Sequence, residues 1–262
     1  MKIQSYTQNK INRINLLIVV IGMILTFSAQ SWSDELTIAF GQDKPPFVIG
    51  KTKTGLEIDI FREALEYKGH NMKVLHFPNR RLQRALIVEN EIDGVATVRQ
   101  VPGDRLYYVE EFVYFQNYAI TKARDGLEIN EVADLIGLSV VAWQNAYRDL
   151  GPEFESAFQP NPPEEYKKLY RELHSQESQN LMFWKNRAKV IVTDKTIFEW
   201  YRKQLEKEHN TTPKVIYHSI FSGKTYFQAA FRSEQLAKDF DEGLKHIKNT
   251  GRYNQLYNKY IK

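Results

Sequence analysis

The sequence predicts an α/β protein made of two small units. Three observations carry this. A strand–helix–strand–helix–strand order runs from Leu36 to Val98, a similar alternation starts again at Leu138, and a last strand followed by two helices closes the chain. At 262 residues the chain has room for one large domain or two small ones.

Leu36-Thr37-Ile38-Ala39-Phe40 alternates like a strand and stops at Gly41, and Pro45-Pro46 then breaks regular structure. Residues 57–68 place Ile58, Phe61, Ala64 and Leu65 on one helical face, closed by Gly69. Met72 to Phe77 reads as a strand. Residues 80–90 read as a helix, with Leu82, Ala85, Leu86 and Glu89 at helical spacing, and Ile92 to Val98 is an apolar run suited to a buried strand. In the second unit Leu138 to Trp143 follows Gly137 as a strand. Residues 164–174 and 176–186 read as helices, Ala188 to Thr193 as a strand, and Asp194 to Glu208 as a long helix. Tyr226 to Arg232 reads as a strand. A helix over 233–249 with Ser233 as N-cap, then Gly251 and a short aromatic-rich helix, complete the chain. There is no internal repeat and no low-complexity tract.

The first 33 residues read differently. Residues 1–13 are polar and basic, Ile14 to Phe27 is apolar apart from Asn15 and Thr26, and small residues follow over 28–33. This is the order of a secretory signal peptide, with cleavage expected after Ser31 or Ser33. The apolar run spans about 21 Å as a helix, short for a bilayer core of about 30 Å. The competing reading is an uncleaved anchor helix. The mature protein is expected to be soluble, exported and periplasmic.

Charge and composition narrow the function. Lys and Arg number 36 against 32 Asp and Glu, but the first 33 residues hold Lys2, Lys10 and Arg13 and no acid. Residues 34–262 carry 33 basic and 32 acidic side chains, too even a balance for a nucleic-acid binder. The lack of cysteine excludes disulfides, thiolate metal sites, a cysteine nucleophile and a lipidated cysteine. The six histidines show no ligand spacing, so a built-in metal site is not expected; no other cofactor is expected either. Gly223-Lys224-Thr225 lacks the first glycine of a phosphate-binding loop, since His218 stands there, and no Gly-x-Ser-x-Gly elbow occurs. Asn210-Thr211-Thr212 matches a glycosylation sequon, a pattern common by chance.

Several segments, in order, resemble the family 3 solute-binding proteins of bacterial importers, which bind polar amino acids. They are Pro46-Phe47 with Gly55-Leu56-Glu57-Ile58-Asp59-Ile60; Arg81 to Gly94, followed by Arg105 twelve residues after Asp93; Glu111 to Tyr114; Asp134 to Val140; Asn186 to Asp194; and Asn249 to Tyr260. Each piece alone is weak, but the ordered set covers nearly all of the chain after the leader. The resemblance implies a two-lobe type II periplasmic binding protein fold, with two crossing strands and a ligand cleft between the lobes. Lobe 1 would hold residues 34–120 and 225–262, and lobe 2 residues 121–224.

The resemblance also points to site residues. Arg105, in the turn after Pro102-Gly103-Asp104, can hold a carboxylate with two parallel charge-assisted bonds; its plain alternative is a surface arginine paired with Asp104 or Glu110. Asp194 would accept a ligand ammonium from lobe 2; its plain alternative is a helix N-cap. Together they would clamp a zwitterion. Thr97, Val98 and Gln100 stand at the family's hydroxyl-rich segment, and Asn145 and Ala146 at its Gln-Gly-Thr-Thr step. Lys44 stands where many amino-acid binders carry a pocket aromatic. Phe47, Phe77 and Trp143 are pocket aromatics or simple core.

The function implied is capture of a small polar solute, an amino acid or related carboxylate, by a monomer that hands it to an inner-membrane ABC permease. The same fold could instead report to a membrane sensor. A third class is a dehydratase-like enzyme, which needs a carboxylic acid in the cleft, with Glu57 and Glu177 as candidates. A chain closing at Lys262 is not expected to carry an attached lytic transglycosylase domain.

Overall fold

The computed structural model describes residues 35–89, 91–159 and 169–261. The leader and its cleavage site lie outside these residues.

Two sheets organise the molecule. The first has strand order β2-β1-β3-β11-β4, with β5 paired to β11. Here β1 is Glu35–Phe40, β2 Asn71–His76, β3 Gly94–Val98, β4 Tyr107–Tyr108, β5 Val113–Phe115 and β11 Thr225–Phe231. β1 runs parallel to β2 and β3, as a strand–helix–strand order requires, while β11 returns antiparallel to β3. The second sheet has the order β10-β6-β9-β7-β8. β6 is Asn117–Lys122, β7 Val140–Trp143, β8 Tyr170–Leu173, β9 Val190–Asp194 and β10 Val215–His218. The chain passes from β5 into β6 at Gln116 and comes back between β10 and β11. Two short crossings therefore join two lobes, each built on its own sheet.

Local sequence explains most of the elements. α1 (Leu56–Glu66) presents Ile58, Phe61, Ala64 and Leu65 to the core. Its N-cap is Gly55, at φ 130°, where a Cβ would come within 2.4 Å of the Phe47 carbonyl oxygen, so only glycine fits. α2 (Asn79–Val88) buries Leu82, Ala85 and Leu86 as its spacing predicts. In lobe 2, α3 (Ala146–Asp149) and α4 (Pro152–Phe158) follow β7, α5 (Gln176–Trp184) follows β8 and α6 (Lys195–Leu205) follows β9. α7 (Glu234–Asn249) is capped by Ser233, whose Oγ accepts from the Leu236 N–H, and α8 (Arg252–Ile261) ends the described chain. Phe61 is the hub of the lobe 1 core, with the rings of Phe40, Phe112, Phe231 and Phe240 around it.

One expectation is overturned. The helix read over 164–174 is not formed at its end: Tyr170–Leu173 is β8, paired parallel to β7. Tyr170 packs on Phe154 and Phe158, and this tertiary pairing outweighs a helical spacing of charges. The first part of that segment lies outside the described residues. No described helix is long and apolar enough to cross a membrane.

Candidate functional site

A cavity of about 330 Å³ lies between the two sheets, at the small end of the range for small-molecule sites. Its wall is assembled where strands end. Lys44 follows β1, Thr97 and Val98 close β3 with Arg99 next, Trp143 closes β7 with Gln144 and Asn145 next, and Thr193 and Asp194 close β9. Parallel strands converge their carboxyl ends on such a crevice, which is why α/β folds bind ligands there. Phe115, Phe227 and Trp143 give it apolar surface.

Two ion pairs dominate its electrostatics. Lys44 Nζ lies 2.8 Å from Glu57 Oε1, with Glu57 fully buried behind it, and 5.0 Å from the centre of the Phe115 ring. Glu57 Oε2 accepts from Thr97 Oγ1 at 2.6 Å. Thr97 reaches it from an unusual backbone, φ 60°, which a β-branched residue rarely adopts. It sits at an irregularity in the β3–β11 register, the kind of bulge that re-aims a side chain toward a site. The second pair spans the cleft. Arg99 Nε donates to Asp149 Oδ1 at 2.8 Å, its guanidinium lies 4.9 Å from the Phe227 ring centre, and Trp143 Nε1 donates to Asp149 Oδ2 at 3.3 Å. Burial pushes the Asp149 carboxyl above its ordinary range, against the opposing pull of Arg99.

Asp194 lines the cavity and caps α6. Its Oδ1 accepts from the N–H groups of Thr196 at 2.8 Å and Ile197 at 3.1 Å, and its Oδ2 from Gln116 N–H at 2.7 Å. Burial raises its pKa despite these three bonds. The plain N-cap reading is thus realised, and the carboxylate is held by the backbone of the first crossing at Gln116 and of α6.

The sequence-derived candidates divide. Thr97, Val98, Asn145, Trp143 and Asp194 come together on the wall. Asn145 takes the left-handed backbone that asparagine tolerates, φ 68°. Arg105, Gln100, Ala146, Phe47 and Phe77 are not among the lining residues. Arg105 is exposed at φ 60°, and Asp104, its suggested partner, instead bonds Gln83 and Tyr108. Gln100 is exposed, Ala146 is buried in α3, Phe47 packs on Phe115 behind the wall, and Phe77 packs on the α2 side of lobe 1. Glu177 is exposed on α5, and Glu57 is held by Lys44 and Thr97. Sequence reasoning did not pick out Arg99, Asp149 and Arg148 as site residues. The available signal was position, since Arg99 directly follows a buried strand and Asp149 and Arg148 lie close behind another strand's end. Among the described residues no three His, Asp or Glu side chains gather as metal ligands.

No family model matches the chain, and no curated protein does. Solved structures do. A histidine kinase sensor domain with similarity to periplasmic binding proteins matches with a TM-score of 0.70 at 14% identity, over 87% of this chain and 96% of that one. The arginine-, lysine-, histidine-binding protein of Geobacillus stearothermophilus matches with a TM-score of 0.68 at 16% identity, over 87% and 95%. An ancestral amino acid-binding protein, a precursor of cyclohexadienyl dehydratase, matches with a TM-score of 0.64 at 19% identity, over 87% and 96%. With both lobes covered in each case, the chain has the two-lobe α/β fold of the periplasmic binding proteins.

Proposed function

We propose that the protein is exported and captures a small polar solute in the cleft between its lobes, delivering it to a membrane permease. The observation that carries this is the composition of the cavity: both sheets contribute, and buried charges are poised on each side of a space sized for one small molecule. Ligand touching both lobes favours the closed arrangement, and two short crossings form a natural hinge. A second reading, ligand sensing for a membrane kinase, is favoured by the likeness to a sensor domain. Of the two acids the sequence offered for turnover, Glu57 is tied to Lys44 and Thr97 and Glu177 is exposed, so neither stands ready as a general acid.

Trp143 lines the cavity and serves as reporter. Titrating fractions of a metabolite extract should change its fluorescence, an effect lost in Trp143→Phe, with every metabolite recovered unchanged. A silent titration, or a metabolite consumed, contradicts this reading.

A further inference from the structure

The charged groups on the cavity wall are unequally satisfied. Each oxygen of the two wall carboxylates already accepts at least one donor. Asp194 accepts three backbone N–H groups through its two oxygens, and Asp149 accepts from Arg99 and from the Trp143 indole. A ligand ammonium entering this cleft would have to share a carboxylate oxygen that already holds a donor, on one of the two acids among the described lining residues. The cations have capacity left. The Lys44 side chain is 12% exposed, and its Nζ is ion-paired with Glu57 Oε1 at 2.8 Å; an ammonium carries three N–H groups, and no other acceptor meets this one among the described residues. The fold fixes that ammonium firmly, through a buried Glu57 that is itself held by Thr97 at a strained backbone position. Arg148 also lines the cavity, and among the described residues only its Nε is engaged, by Tyr147 Oη. One wall group lacks a donor: Gln144 Oε1 is buried with no hydrogen-bond partner among the described residues.

We infer that the cleft selects a hydroxycarboxylate, an organic acid whose carboxylate meets Lys44 and whose hydroxyl, rather than an ammonium, satisfies the Gln144 amide oxygen. This rests on the solute-binding reading and names the class of solute. A carboxylate on Lys44 gains charge-assisted bonds in a largely water-excluded site. A hydroxyl donating to a neutral amide leaves no charge uncompensated, whereas an ammonium there does. Lys44 is the specificity-determining residue, and Glu57 positions it.

The test is titration calorimetry of the full mature chain against matched pairs that differ only in hydroxyl or ammonium at one carbon: malate and aspartate, 2-hydroxyglutarate and glutamate, phenyllactate and phenylalanine. In at least one pair the hydroxy acid should bind about tenfold tighter or more. Lys44→Met should weaken it by at least about tenfold. Because Lys44→Met leaves Glu57 buried without its cation, Lys44→Met combined with Glu57→Gln is the control that keeps the fold, and it should show the same loss. An amino acid that binds as tightly as its hydroxy partner overturns the inference, as does wild-type affinity in the double variant. If no pair binds while the metabolite extract still changes Trp143 fluorescence, the inference fails and solute binding stands. If the extract is silent as well, both fail.

Discussion

Arg99, at the end of β3, donates to Asp149, at the end of α3, at 2.8 Å and so joins the two lobes across the cleft. Its two members differ in exposure, 46% for the Arg99 side chain against 14% for Asp149. Their removal should therefore differ in cost. Arg99→Ala strands a largely buried carboxylate and should cost about 1–3 kcal/mol at pH 7, whereas Asp149→Asn leaves a cation that can turn to water and should cost less than about 1 kcal/mol. Burial raises the Asp149 pKa in the folded state, so the folded form holds its proton more tightly. The penalty in Arg99→Ala then shrinks as pH falls through the Asp149 pKa. Urea unfolding at two pH values measures both effects; equal costs, or a penalty that grows in acid, contradict the assignment.

Lys122 gives a second pH dependence. Its side chain is buried in lobe 2, where Nζ donates to the Phe183 carbonyl and to Asn186 Oδ1, with no carboxylate among the acceptors it bonds. Burial pushes its pKa down to about 8. A lysine depressed in the fold binds fewer protons there than in the unfolded chain, so stability rises with pH between about 8 and the ordinary lysine value near 10.5. Lys122→Met should remove that rise, about 2 kcal/mol between pH 7.5 and 9.5. Denaturation of wild type and variant at pH 7.5 and 9.5 compares them; parallel curves contradict the prediction.

Gly243 on α7 sets the approach of α7 to α1. A Cβ there would fall 1.9 Å from the Ala64 carbonyl oxygen. Gly243→Ala should cost about 3 kcal/mol, because two packed helices must move apart. A melting temperature equal to wild type would show that the helices are not held this closely.

Asp194 and Arg105 separate the zwitterion clamp from the geometry. Asp194→Ala orphans three backbone N–H groups and should destabilise by about 2–3 kcal/mol, with Asn recovering part of it. Arg105 is exposed and off the cavity wall, so Arg105→Ala should leave ligand affinity within about twofold. A loss of about 30-fold or more in Arg105→Ala would instead restore the clamp that the family resemblance implies.

Much of the fold was legible because its signals are local. The alternation of Leu36 to Phe40, the helical face of Ile58, Phe61, Ala64 and Leu65, and the caps at Asp194 and Ser233 each follow from neighbouring residues. β8 was not, since its strand state depends on pairing with β7 and packing on Phe154. β10 was missed for the same reason: Val215–His218 is a strand because it pairs antiparallel with β6. At the site, Thr97, Trp143 and Asp194, to which the family resemblance pointed, line the cavity. The pairing of Lys44 with Glu57, and of Arg99 with Asp149, is set by three-dimensional neighbours 13 and 50 positions apart, and spacing along a chain carries no trace of it. Arg105 shows the converse, a motif position whose side chain is exposed and off the cavity wall once the turn is built.

The most direct measurement of the central claim is native mass spectrometry of the protein purified under non-denaturing conditions from its own cells. One small molecule per chain, lost on unfolding and regained when refolded protein meets the metabolite extract, is the result expected of a solute-capturing cleft. A bare chain mass that the extract leaves unchanged would contradict it.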